Sequence, residues 1–308
     1  MTQSPLIAFR RSVVILSCAA AMVLTGCGDD VSGQGSLGTE PDATAGMPYV
    51  GAGPGGATPV DGIVPPPPDA TVDYQIGGAY PPAAEVDVVI HDHTEQPAEG
   101  IYSICYVNAF QAQTDEVSAW SERHPDLILR SGDGGAVEDE DWGEPLLDIS
   151  TGAKRARLAE IVDGWLADCA ERGFRAVEPD NLDSWTRSSG LLTRGEAVEY
   201  ARLVVERAHA RGLAVAQKNA AELTDDEIRR IGFDFAIAED CQRYSWGRLS
   251  ECDRYLSVYG DRVIEIEYTD GGGAFDAACR ARGDRISILL RDRDVVPRGE
   301  PGYVSRHC

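Results

Sequence analysis

From Thr71 onward, short apolar runs alternate with amphipathic stretches of helical period, and this alternation limits the possible folds more than any other feature of the chain. Strand-length runs are read at Tyr74–Gly77, Val86–Ile90, Tyr102–Val107, Leu146–Ile149, Arg175–Glu178, Ala214–Gln217, Phe233–Ala238, Val263–Ile266 and Ile286–Leu290. Helices are expected between most of them. Lys154–Arg172 carries Leu158, Ile161, Val162, Trp165 and Leu166 at helical spacing and stops at Gly173. Thr193 with Glu196 forms a capping-box pattern opening a helix to Arg211, ended by Gly212, and Thr224 with Glu227 repeats the device. A βαβα rhythm implies a parallel sheet, and 238 residues (308 − 70) is the length of one (β/α)8 barrel. Nine runs are one too many, so one of the first four, or the last, should lie outside the ring. A doubly wound open sheet is the alternative, but it would need a glycine-rich first βα turn, and Gly77-Gly78 does not supply one. The triplet Gly271-Gly272-Gly273 reads as a loop.

In a parallel barrel the residues just past the strand ends share one face, where the chemistry sits. Those positions are Gln75, Asp92, Tyr106 with Asn108, Asp148, Asp180 with Asn181 and Asp183, Lys218 with Asn219, Glu239 with Asp240, and Glu267 with Tyr268. Acids and amides dominate. The densest cluster lies in Phe174–Trp185, where an apolar strand breaks at Pro179 among Glu178, Asp180, Asn181 and Asp183. An acidic turn capping the next helix would explain that stretch alone. Carboxylates at several strand ends together suit glycoside hydrolysis, in which one acid protonates the leaving oxygen and another attacks or stabilises the oxocarbenium-like centre.

The chain before Thr71 reads differently. Residues 1–26 hold Arg10 and Arg11, an apolar run from Val13 to Leu24 and the ending Leu24-Thr25-Gly26-Cys27, a secretory signal resembling a bacterial lipobox. That resemblance implies lipid on Cys27 and a membrane anchor of lipid alone. Residues 27–70 are a Gly/Pro/Ser-rich tether closing on Pro65–Pro68. The net charge is −23, or −25 once Arg10 and Arg11 leave with the signal (−23 − 2), which repels nucleic acid and favours cationic partners. Cys18 leaves with the signal, and six further cysteines remain after Cys27, an even number suited to disulfides in an exported protein. Cys241 with Cys252 and Cys279 with Cys308 are the expected pairs; Cys105 and Cys169 are expected to be buried or bonded.

Metal chemistry is disfavoured. His91-Asp92-His93 has the form of a metal-hydrolase motif, but the remaining histidines, His124, His209 and His307, fall in a loop, in a helix and at the chain end. The run Glu138–Asp141 lacks the alternating ligands of a calcium loop. No metal or cofactor is expected.

Several motifs in order resemble glycoside hydrolase family 114, the endo-α-1,4-polygalactosaminidase-like barrels. They are DYQIGG (Asp73–Gly78), CYVN (Cys105–Asn108), WGEPLLDI (Trp142–Ile149), VEPDNLD (Val177–Asp183), GLLT (Gly190–Thr193), QKN (Gln217–Asn219), AEDC (Ala238–Cys241) and EIEY (Glu265–Tyr268). The chain departs from the family pattern at Val107–Phe110 and at Ala238. The resemblance implies a glycosidase with Asp180 as nucleophile and Glu239 as general acid/base, acting on internal α-1,4 bonds of a galactosamine polymer. A retaining reaction would set the two carboxyls about 5–5.5 Å apart, an inverting one roughly 6.5–9.5 Å. A cationic amino-polysaccharide suits an acidic mouth, with Gln75, Asp92, Tyr106, Asp148, Asn181, Asp183, Lys218, Asn219, Glu267 and Tyr268 as expected substrate contacts. Tyr106, Tyr268 and Trp185 are expected to offer stacking faces. Glu178 is expected to support the site or to pair with Lys218. The alternative is a non-catalytic surface lipoprotein that binds the same polymer on the same barrel.

Overall fold

The structure, a computed structural model, describes residues 62–244 and 250–308. The signal segment 1–26, Cys27 and the tether up to residue 61 lie outside the described residues. In chain order the elements are β1 (Val72–Gln75), β2 (Val88–Asp92), β3 (Tyr102–Val107), α1 (Val117–Arg123), β4 (Glu138–Asp139), β5 (Glu144–Pro145), α2 (Gly152–Arg172) and β6 (Ala176–Pro179). There follow α3 (Arg194–Ala210), β7 (Ala214–Lys218), α4 (Asp225–Ile231), β8 (Phe235–Glu239), α5 (Glu251–Tyr259), β9 (Val263–Tyr268), α6 (Ala274–Arg282), β10 (Ser287–Arg291) and β11 (Ser305–His307). The sheet runs β1-β2-β3-β6-β7-β8-β9-β10-β11, parallel until β11, which turns back antiparallel on β10. Eight parallel strands make a (β/α)8-type barrel, and no ladder joins β10 to β1 among the described residues. That seam is crossed instead by the Ala70 amide donating to Ser287 Oγ (2.8 Å), by His307 Nε2 against Val72 O (2.7 Å), and by Arg291, which donates to Tyr74 O.

The period of two along each strand divides the core into two compartments. Inside the barrel stand Val72 and Tyr74, Val88 and Ile90, Ile104 and Tyr106, Ala214 and Ala216, Phe235 and Ile237, Ile264 and Ile266, and Leu289. Between strands and helices pack Cys105, Val107, Val177, Val215, Ala236, Ala238 and Leu290 with the apolar faces of α2 to α6. The helices start where side-chain caps meet orphan amides. Thr193–Glu196 and Thr224–Glu227 both form reciprocal capping boxes, each contributing about 1 kcal/mol.

The run Leu146–Ile149 is the one left out of the ring. Its residues are buried in the outer core, and Leu146 and Leu147 make only isolated antiparallel bridges to Gln111 and Ile128. The barrel's packing also begins before Thr71: Ile63 and Ala70 are buried with the interior cluster, and Tyr102 Oη donates to Val64 O (2.7 Å). Three disulfides are present, Cys105–Cys169, Cys241–Cys252 and Cys279–Cys308, so Cys105 and Cys169 are bonded to one another. They tie β3 to α2, the end of β8 to α5, and α6 to the C-terminus. Among the described residues no helix is long and apolar enough to cross a membrane.

Candidate active site

Three neighbouring strands end in the same way. Asp180 follows β6, Lys218 closes β7 and Glu239 closes β8, and each is followed at once by a residue with positive φ: Asn181 (64°), Asn219 (50°) and Asp240 (54°). Asn and Asp are the non-glycine residues that adopt this left-handed conformation most readily, at a cost of roughly 1 kcal/mol each. The turn takes the chain sharply off the strand and leaves the preceding side chain at the top of the barrel. It is held by local bonds: the Asn181 amide donates to Asp180 Oδ1 (2.8 Å), and the Glu239 amide donates to Asn219 Oδ1 (2.9 Å).

At the centre sits Lys218, its side chain 1% exposed. Nζ lies 2.7 Å from Glu178 Oε1, 3.3 Å from Asp180 Oδ1 and 3.3 Å from Glu239 Oε2, and it donates to Tyr74 Oη at 3.1 Å. Asp180 and Glu239 are open to solvent by 17% and 22%, whereas Glu178 beneath them is closed. The two exposed carboxylates therefore share one buried ammonium, and only they are reachable from the mouth. Each also accepts from a tyrosine: Tyr106 Oη donates to Asp180 Oδ2 (2.9 Å) and Tyr268 Oη to Glu239 Oε1. Asn219 Nδ2 adds a bond to Glu239 Oε2 (3.1 Å).

The electrostatics follow from this geometry. Burial opposes ionisation of Asp180, but the Lys218 ammonium, the Asn181 amide and the Tyr106 hydroxyl outweigh it and hold its pKa below the ordinary range. Burial pushes Glu178 up to about 7 against the pull of Lys218, with the negative charges of Asp180 and Glu239 adding to the rise. Lys218 loses hydration, yet Asp180, Glu178 and Glu239 together raise its pKa well above the usual value, so it stays charged. Tyr106 and Tyr268, raised chiefly by burial, stay protonated as donors.

A second layer stiffens the β6 side. Asn181 Nδ2 donates to Asn108 Oδ1 (2.9 Å), and Asn108 Nδ2 donates to Glu144 Oε2 (2.8 Å) on the β4–β5 hairpin. Burial raises Glu144 to about 7, against the Asn108 bond and with the Asp180 charge adding to it. Arg187 reaches Asn181 Oδ1 (3.2 Å), Asp183 Oδ1 (2.9 Å) and Asp139 Oδ2 (2.8 Å), so the hairpin and the loop after β6 move as one piece.

The structure brings Asp180, Asn181, Lys218, Asn219, Glu239, Tyr106 and Tyr268 together, and places the other expected contacts elsewhere. Gln75 and Glu267 are out of phase with the inward positions Tyr74 and Tyr268 and face the outer layer. Gln75 bonds Asp73, Tyr80 and His91 there. Glu267 accepts from the Gln242 amide (2.8 Å), and burial, with Glu265 and Asp240 nearby, raises it to about 8. Asp148 holds Ser150 and Lys154 at the start of α2. Asp92 is buried against Thr94 and Gln113, and Asp183 is paired with Arg187. Lys218 supports the carboxylates from below rather than facing the mouth. Tyr106 and Tyr268 are buried with their hydroxyls bonded to the carboxylates, and Trp185 is partly buried against the outer core.

His91 bonds Gln75 and His93 stacks on Trp165, so the two histidines do not converge. Among the described residues the potential metal donors that cluster are Cys241, Cys252, Glu265 and Glu267, and the two sulfurs are joined in a disulfide. Sequence reasoning missed Tyr74, Glu144, Arg187 and Arg293. Tyr74 was available from the period of two, since it shares the phase of Val72. The arginines carried no signal, because ion pairs across loops leave no periodic trace.

Comparison with known proteins gives the following. The family described as glycoside-hydrolase family GH114 matches residues 57–308. The crystal structure of Aspergillus fumigatus Ega3 in complex with galactosamine superposes with a TM-score of 0.63 at 20% identity, covering 79% of this chain and 97% of that one. The glycoside hydrolase domain of PelA from Pseudomonas aeruginosa superposes with a TM-score of 0.50 at 16% identity, covering 75% and 97%. At these identities the superpositions carry the fold. No curated protein matches.

Proposed function

The chain belongs to glycoside-hydrolase family GH114 and is a glycosidase, and from that premise we propose that it cleaves internal α-1,4 bonds of a galactosamine-containing polysaccharide by a retaining mechanism. One observation carries the reading: Asp180 and Glu239 flank a single buried ammonium. Each facing oxygen lies 3.3 Å from Lys218 Nζ, so the two oxygens are at most 6.6 Å apart (2 × 3.3 Å). That ceiling accommodates the roughly 5–5.5 Å separation of a retaining pair.

Asp180, kept ionised by Lys218, Asn181 and Tyr106, attacks the anomeric carbon while Glu239 protonates the leaving oxygen. Glu239 then removes a proton from the water that releases the glycosyl-enzyme. Lys218 repels a second cation at its own position, so a protonated amine of the substrate would sit against outer carboxylates, with Glu144 as the first candidate. The amino-sugar in the Ega3 complex and the charge of −23 favour this substrate class. Three disulfides fit an exported protein, with attachment through Cys27 part of the same proposal.

Incubating the enzyme with α-1,4-galactosamine polymer should release new reducing ends, with the α anomer appearing first by NMR. Asp180→Asn and Glu239→Gln should each cut the rate by a thousandfold or more, on the order of other lost nucleophiles and acids. Release of the β anomer would refute retention. Binding without release in the wild type would refute the catalytic reading.

A further inference from the structure

Arg293 lies in the loop after β10, beside the ends of β8 and β9. Its guanidinium carbon stands 3.9 Å from the centroid of the Tyr268 ring. Two carboxylates hold it there: Nη2 donates to Asp240 Oδ2 at 2.6 Å and to Asp270 Oδ1 at 2.8 Å. The side chain is 26% exposed, so it is neither a free surface arginine nor part of the core. Resting on the assignment of Glu239 as the acid/base, we propose that Arg293 is a positioning residue that acts on Glu239 through the Tyr268 ring.

A guanidinium over the face of a phenol withdraws electron density from the ring and strengthens its O–H as a donor. That hydroxyl donates to Glu239 Oε1. The same guanidinium grips Asp240, the positive-φ residue that directly follows Glu239 and whose amide donates to Ile266 O (2.8 Å). Asp240 thus holds the guanidinium over the ring whose hydroxyl Glu239 meets.

Its second anchor is rigid as well. Asp270 lies in a tight turn closed by the Gly271 amide on Tyr268 O (2.8 Å), and a Cβ at 271 would come within 2.9 Å of that oxygen. Arg243 reaches Asp270 (3.0 Å) and Asp240 (3.7 Å) from the other side. Loss of Arg293 alone therefore leaves both aspartates with a cation, and the turn keeps its shape. What goes is the contact with the ring.

The test is a double-mutant cycle on the full chain with Arg293→Met and Tyr268→Phe. Each single change should lower kcat about tenfold with KM within twofold, the scale of one lost polarising or hydrogen-bonding contact. If Arg293 acts through Tyr268, the double variant falls little further, about 10–20-fold, instead of the roughly hundredfold of independent effects. Arg293→Lys keeps the charge without the flat stacking face and should recover only part of the loss. A multiplicative double variant, or an unchanged kcat in Arg293→Met, overturns the proposal. A readout independent of turnover is the 13Cζ resonance of Tyr268 in tyrosine-labelled protein, identified by its disappearance in Tyr268→Phe. It should move in Arg293→Met, and a fixed resonance overturns the proposal even where the polymer is not cleaved. Failure of the wild type to cleave any galactosamine polymer would instead refute the functional reading.

Discussion

Replacing Lys218 by methionine keeps most of the side-chain volume and removes the ammonium shared by Glu178, Asp180 and Glu239. Taking one partner from a buried ion pair costs roughly 3–5 kcal/mol, because the charge left behind is uncompensated. In a domain of this length each kcal/mol moves Tm by about 2–4 °C. At pH 8 the variant should therefore melt roughly 6–20 °C below the wild type.

The pH dependence has a definite sign. In the wild type the depressed pKa of Asp180 contributes stability that is present above its unfolded value and is lost as pH falls through the folded one. Without Lys218, burial acts unopposed and the carboxyls acquire folded pKa values above their unfolded ones. Groups raised in this way lose stability as pH rises. Glu178, already at about 7, will hold its proton in acid and spare one charge. The deficit should be largest at pH 8 and shrink toward pH 5. Scanning calorimetry of both proteins at pH 5, 6.5 and 8 measures it. A deficit equal at all three values, or one below about 3 °C at pH 8, would refute the claim that Lys218 compensates the three carboxylates.

Tyr106→Phe removes a hydrogen bond to a charged acceptor, worth about 1.5–3 kcal/mol, so kcat/KM should fall roughly 10–100-fold and the acid limb of the pH–rate profile should move to higher pH. A limb that stays put would show that Asp180 does not set it. Glu267 has a folded pKa of about 8 against 4.5 for the free side chain, so its protonated form is favoured and the wild type loses stability as pH rises through 8. Glu267→Gln should gain on the wild type by roughly 1–3 kcal/mol between pH 6 and 9 in urea titrations, and a pH-independent difference would count against the raised pKa. Replacing Cys105 and Cys169 together by alanine should cost about 2–5 kcal/mol while leaving KM unchanged, since the bridge joins β3 to α2 on the outer side of the barrel. A raised KM would place the bridge closer to the mouth's geometry than its position implies.

The barrel was legible because eight apolar runs and their caps repeat a period that only a parallel α/β sheet satisfies. Which of the first four runs lies outside the ring was not legible, because four consecutive buried residues, Leu146–Ile149, look the same whether or not a ladder partner exists. The nucleophile and acid candidates were reached by motif resemblance, and the structure sets them on one ammonium. The contacts chosen around them were less secure, for a reason that can be stated. Taking whichever polar residue closes a strand ignores the phase of two: at β1 it selects Gln75 where Tyr74 points inward, and at β9 it adds Glu267 beside the inward Tyr268. Counting phase from Val72 and Ile266 would have replaced Gln75 by Tyr74 and left Tyr268 without Glu267. Asp148, Asp92 and Asp183 were open to a different error: an acid in a loop can be occupied by a cap or an arginine that no local pattern reveals.

The chain joins the barrel through its floor. Val64 lies against Tyr102 at the start of β3, Ala70 meets Ser287 at the start of β10, and the prolines between them line a groove with Asp234, Asp261 and Arg262 at the feet of β8 and β9. Asp180 and Glu239 open at the opposite end. The described chain therefore enters the barrel at its base, at the end away from the cleft.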